Sequence, residues 1–172
     1  MTLDLQFHRE VDLSPAQIWE GLTNPTILMK WFCPRPWKVI ECEIDLRPGG
    51  VFRTVMQSPE GNNMPDNSWC FLAVEPQERL VWTNALGPGF RPKPQPNDEN
   101  LGFFFVVDLR LSPICEGRTS YTAHVMHQNE ASRQAHDEMG FQHGWGASLD
   151  QLVELCHESY SVRKLGSTGN RL

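Results

Sequence analysis

The last third of the chain most constrains its fold. From His136 it runs His136-Asp137-Glu138-Met139-Gly140-Phe141-Gln142-His143-Gly144-Trp145 and on to Leu149-Asp150-Gln151-Leu152. The stretch reads as a loop or first helical turn entering one long amphipathic helix. Trp145, Leu149, Leu152 and Cys156 recur at three- and four-residue steps and so form one buried stripe. Nearly everything before it reads as short strands. A mostly β chain that ends in one apolar-faced helix is satisfied when its sheet wraps around that helix. A cavity is then expected between the two, and function turns on what fills it.

The strands announce themselves by period. In 39–46, Ile40, Cys42, Ile44 and Leu46 alternate with Glu41, Glu43 and Asp45, the pattern of a half-buried antiparallel strand. Pro48-Gly49-Gly50 signals a turn, and 51–56 returns from it. Further strands are expected at 7–11, 69–74, 80–84, 103–111 and 119–126. After the first of these, Ser14 is a candidate N-cap with Pro15 at the first helical position. Ile18, Trp19 and Leu22 give that short helix one apolar face, and Asn24-Pro25 ends it and caps a second short helix through Lys30. The stretch 86–102 holds Pro88, Pro92, Pro94 and Pro96, a long loop of the kind that is often functional. It is a candidate lid as well as a candidate surface loop.

Composition bounds the partners. The formal net charge is -6, and no basic stripe is visible, so nucleic acid is not expected. No apolar run approaches the ~20 residues that span a membrane, and the first residues carry no signal-peptide pattern. The five cysteines are an odd number without a Cys-x-x-Cys pair. They read as reduced thiols of a cytoplasmic protein. One domain over 1–163 with a flexible tail over 164–172 is expected.

The order of motifs adds a resemblance. The segments are Lys30-Trp31-Phe32-Cys33-Pro34, then Asp45-Leu46-Arg47-Pro48-Gly49-Gly50-Val51-Phe52-Arg53, then Pro76-Gln77-Glu78-Arg79-Leu80-Val81-Trp82-Thr83. Gly117-Arg118-Thr119 follows, then Met139-Gly140-Phe141 with Gly144-Trp145 and Leu149-Asp150-Gln151-Leu152. In this order they resemble the SRPBCC or START-like superfamily, which shares the helix-grip fold of the birch-pollen allergen. Within it the chain is similar to the branch named after the activator of the heat-shock ATPase. The resemblance implies an α+β helix-grip fold: a curved antiparallel sheet wrapped around a long C-terminal helix, with two short helices after the first strand. Fold alone does not fix function.

In such a fold the inward strand faces and the inner helix face line the cavity. Alternation selects Phe52, Thr54 and Met56; Phe71; Leu80, Trp82 and Asn84; Phe103, Phe105 and Val107; and Tyr121. From the helix it selects Met139, Gln142, His143 and Leu149. Such a lining is apolar with a few polar groups, as small-molecule pockets are. His136 and His143 stand seven positions apart, so they share a face if one helix carries both. No metal-ligand spacing is present and no cofactor is expected. The leading expectation is a non-catalytic binder of a small apolar or amphipathic molecule. The first alternative is a cyclase- or dehydratase-like enzyme on an aromatic or polyketide-like substrate, with His143, Tyr121 and Asn84 as its polar cluster. The second is a co-chaperone-like protein-binding module. Sheet edges make a homodimer a further possibility.

Overall fold

The computed structural model of the chain describes residues 3–96 and 102–167. Residues 97–101 of the proline-rich stretch and 168–172 of the expected tail lie outside the described residues. Strand β1 (Asp4–Val11) is followed by helices α1 (Pro15–Thr23) and α2 (Pro25–Leu28). Then come β2 (Lys38–Ile44), β3 (Val51–Gln57), β4 (Asn67–Glu75) and β5 (Arg79–Thr83). A small ribbon, β6 (Leu86–Gly87) with β7 (Arg91–Pro92), interrupts the meander before β8 (Phe105–Cys115) and β9 (Arg118–His127). Helices α3 (Glu130–Glu138) and α4 (Phe141–Ser167) close the chain. The seven-stranded sheet is ordered β1-β9-β8-β5-β4-β3-β2, antiparallel throughout. It is a meander whose free end is closed by β1. This is the expected α+β helix-grip architecture.

Local chemistry sets the helix ends. Ser14 Oγ accepts from Gln17 N while Gln17 Oε1 accepts from Ser14 N at 2.9 Å, a reciprocal cap that starts α1. Asn24 Oδ1 accepts from Thr26 N at 3.0 Å and starts α2. Asn129 Oδ1 does the same for Ser132 N at the head of α3. One face of the sheet carries the core. Phe7, Phe52, Phe71, Leu80, Trp82, Val107, Leu109 and Val125 meet Ile18, Leu22, Leu149 and Leu152 from α1 and α4. On β8, Asp108 sits on the opposite face, gripped by Arg79 through two 2.9 Å bonds and by Arg110 at 3.0 Å. These guanidinium bonds, Arg79 first, hold its carboxyl below the usual range. No helix among the described residues is long and apolar enough to cross a membrane.

Two expectations are corrected. Ile40 does not join Cys42 and Ile44 on the inner face. A bulge between Val39 and Glu41 shifts the register, burying Val39 and leaving Ile40 exposed. Nor do His136 and His143 share a helix. Gly140 takes φ 88° between α3 and α4, its N–H bonds Asp137 O, and a new helix starts beyond it. The 3.6-residue period is therefore reset between the two histidines.

Candidate functional site

A cavity of about 340 Å³ lies between the sheet, α3 and the first turns of α4. Its volume is at the lower end of the ~300–1,000 Å³ typical of small-molecule sites. The sheet contributes Met56, Trp69, Trp82, Phe105, Val107 and Tyr121. The segment after α2 contributes Trp31, Phe32, Cys33 and Pro34, and Leu22 reaches in from α1. From α4 come Phe141, Gly144, Trp145 and Ser148. His136 of α3 and the hinge residues Met139 and Gly140 complete the wall. No Asp, Glu, Lys or Arg is among these residues.

The segment 31–35 has no regular structure, yet it forms one whole side of the cavity. Side chains of α4 hold its backbone in place. Gln151 Nε2 donates to Trp31 O at 2.9 Å and to Cys33 O at 2.8 Å, while its Oε1 accepts from Arg35 N at 2.8 Å. Ser148 Oγ donates to Phe32 O at 3.2 Å. Trp31 Nε1 donates to Gly21 O at 3.0 Å, which ties the segment to α1 as well. These bonds satisfy buried backbone groups that a loop leaves open.

The polar atoms of the wall are neutral. Burial pushes the Cys33 thiol up to about 11, so it stays protonated near neutral pH. Burial likewise raises the Tyr121 phenol well above its ordinary value. Burial, with His127 alongside, pushes His136 down to about 4 against a smaller opposing pull from Asp137. Among the described residues no group of His, Cys, Asp and Glu is arranged to hold a metal ion.

The structure brings Met56, Trp82, Phe105, Val107, Tyr121 and Met139 of the sequence-selected set to the cavity wall. Phe52, Thr54, Phe71, Leu80, Phe103 and Leu149 are buried but are not among the residues that line it, and Phe103 borders two neighbouring clefts instead. Phe52 and Phe71 stack face to face at 5.5 Å, with Trp69 edge-on to Phe52 at 4.8 Å, and so fill their end of the fold themselves. Gln142 is exposed and donates to Gln6 O, and His143 is exposed. Asn84 spends both ends of its amide on the Phe103 carbonyl and the Phe105 N–H. The trio His143, Tyr121 and Asn84 therefore does not converge: His143 and Asn84 line no part of this cavity. Sequence reasoning missed the rest of the wall, Phe32, Trp69, Phe141, Gly144 and His136 among them. The aromatic run Trp31-Phe32 and the Gly140 break were the available signals.

Thr54 shows how tightly the space behind the wall is filled. It is 0% exposed, and its hydroxyl has no hydrogen-bond partner. Thr54→Val keeps the shape and removes an orphaned polar atom. It is expected to raise stability by up to about 1 kcal/mol, seen as a higher urea midpoint. A lower midpoint would show that the hydroxyl is satisfied in solution.

A sheet folded over a helix, with an uncharged cavity between them, defines a class of ligand-cavity folds. Over residues 12–157 the chain matches the family described as Activator of Hsp90 ATPase homolog 1-like protein. The chain belongs to that family. It is similar to the crystal structure of protein NE0264 from Nitrosomonas europaea, with 43% identity and a TM-score of 0.84 over 92% of this chain and 97% of that one. A solution structure from Arthrobacter aurescens is 21% identical, with a TM-score of 0.75 over 91% of this chain and 87% of that one. The crystal structure of the AHSA1 protein from Silicibacter pomeroyi is 21% identical, with a TM-score of 0.61 over 90% of this chain and 99% of that one. The two more distant likenesses speak to fold alone. Among curated proteins none matches.

Proposed function

We propose that the chain binds a small, uncharged, apolar or amphipathic molecule in this cavity, without catalysis. The observation that carries the reading is the wall itself: aromatic and aliphatic over most of its extent, without an ionisable side chain charged at neutral pH, and of small-molecule volume. An ionic ligand would enter such a space unpaired, at a cost of several kcal/mol. The five unpaired thiols favour a reducing compartment and so a cytoplasmic site of action.

Gly144 supplies the test. It lies on α4 at the cavity wall, and a Cβ added there meets no atom within 4 Å. In Gly144→Leu the Cβ therefore enters open space, and the branched end takes up cavity volume. It also gains about 0.5–1 kcal/mol of helix propensity. Native mass spectrometry of gently purified wild-type protein is expected to show a non-covalent adduct that is lost on denaturation. The same adduct is expected to be absent from Gly144→Leu, whose thermal midpoint stays equal or rises. An adduct retained at full occupancy in the variant would place the ligand elsewhere, and a clean wild-type spectrum would count against a tightly held ligand.

A further inference from the structure

One feature of the cavity wall goes beyond size and apolarity. His136 does not stand alone: its Nδ1 lies 2.9 Å from Nε2 of His127, whose own Nδ1 lies 3.1 Å from the carbonyl oxygen of Leu3. A carbonyl only accepts, so His127 carries its proton on Nδ1. A neutral His127 then offers a lone pair at Nε2, and the proton between the two rings belongs to His136 Nδ1. A neutral His136 is left with a bare lone pair at Nε2. The two-ring relay thus sets which nitrogen of His136 is the acceptor.

Both rings are held neutral. Burial lowers the proton affinity of each, and for His136 the neighbouring His127 adds to it. Phe103, Phe105 and Phe141 surround the His136 ring, each with centroids 5.3 Å away. Among the described residues the only buried side-chain nitrogen or oxygen atoms both sealed and without a hydrogen bond are the Thr54 hydroxyl and one guanidinium nitrogen of Arg133, which lies 3.6 Å from Asp137 Oδ2. Among the described residues His136 Nε2 has no hydrogen-bond partner either, and since it is not one of the sealed atoms it keeps some exposure. The same holds for the hydroxyl of Tyr121, a residue only 2% exposed. Both residues line the cavity.

We propose that His136 Nε2 is a fixed hydrogen-bond acceptor inside the cavity, and that the ligand is a neutral, largely apolar molecule bearing a hydroxyl or N–H group that donates to it. The inference rests on the cavity being a ligand site. It adds the class: an alcohol, phenol or N–H heterocycle, in preference to the matching ether, ester or hydrocarbon. A wall that offers a lone pair and cannot donate from that point leaves an ether oxygen facing another acceptor. Tyr121 supplies a second polar point that both donates and accepts. No covalent step is required of either residue.

Two measurements on the full chain test this. The first compares 2-naphthol with 2-methoxynaphthalene as probes, followed by quenching of the tryptophans in the wall. Wild-type protein is expected to bind 2-naphthol about tenfold more tightly, one buried hydrogen bond's worth. In His136→Leu the ratio is expected to fall to about one. Equal binding of both probes by wild type, or a preference that persists in His136→Leu, overturns the acceptor assignment and leaves the cavity reading standing. Binding of neither probe overturns both. The second measurement uses no ligand and no variant. Long-range proton–nitrogen correlation spectra of the imidazoles near neutral pH are expected to show His136 with its proton on Nδ1 and an unprotonated Nε2. The opposite tautomer, or a doubly protonated ring, overturns the proposal even if His136→Leu fails to fold.

Discussion

Replacing Gln151 with leucine is expected to lower the unfolding free energy by about 3–5 kcal/mol, read from the urea midpoint at unchanged slope. Leucine fits the apolar volume but cannot serve the Trp31 and Cys33 carbonyls or the Arg35 N–H. Each stranded buried backbone group costs roughly 1–3 kcal/mol. Arg35 is at the surface, so water recovers part of its share; the two carbonyls carry most of the loss. Gln151→Glu is expected to rescue little at neutral pH. It keeps the size and the acceptor toward Arg35, but it turns a carboxylate toward two carbonyl oxygens. Its deficit should shrink in acid, where the carboxyl regains one donor. A leucine variant within 1 kcal/mol of wild type would mean that the amide does not hold the segment. Because that segment is one side of the cavity, the same variant should weaken retention of the proposed ligand before it unfolds.

Gly50→Ala is expected to cost about 3–5 kcal/mol, above the ~1–3 kcal/mol of ordinary overpacking. The reason is close approach of backbone to backbone. A Cβ at Gly50 comes within 1.9 Å of Asp45 O and 2.9 Å of Arg47 O. Neither oxygen can retreat cheaply. Asp45 O accepts from Arg47 N and Arg47 O accepts from Gly50 N, each at 2.8 Å, within the β2–β3 turn. Gly50 O in turn accepts from Phe71 N at 3.0 Å, so the strain passes into β4. Gly49 next to it is a different case. Its φ of 79° itself favours glycine, and Phe90 lies over it. If Gly50→Ala melted within two or three degrees of wild type, the turn would have to be far more compliant than these contacts allow.

Much of the fold was legible because each strand has one face on a core. A period of two selects Phe103, Phe105 and Val107, and all three are buried. Ile40 escaped because a bulge changes the count without leaving a residue type that announces it. The cavity was less legible. Alternation identifies inward faces, but Phe52 and Trp82 have the same signature, and only packing decides that one fills space and the other borders it. Trp31 and Phe32 lie in an irregular segment where no periodicity operates. The condition under which His136 and His143 would share a face is not met, because one glycine with positive φ resets the helical phase. The tautomer relay could not be seen at all. It joins α3 to β9 and to the carbonyl of Leu3, three places that only the folded sheet brings together.

The pairing of the first strand with the last also has a kinetic side. β1 is in register with β9 from Asp4↔Met126 to Val11↔Thr119, and the Leu3–His127 bond joins groups 124 positions apart. A chain made from its N-terminus outward therefore releases β1 long before its partner exists. The β8–β9 hairpin, by contrast, closes across a short turn as soon as it emerges. Contacts of such sequence separation place a fold among the slower, millisecond-to-second class. β1 is the strand that waits, and while it waits both it and β9 present an open edge. The proton arrangement on the two histidines is fixed only when that edge closes. The acceptor proposed at His136 is thus completed at the final zipping of the sheet, not at the collapse that creates the space.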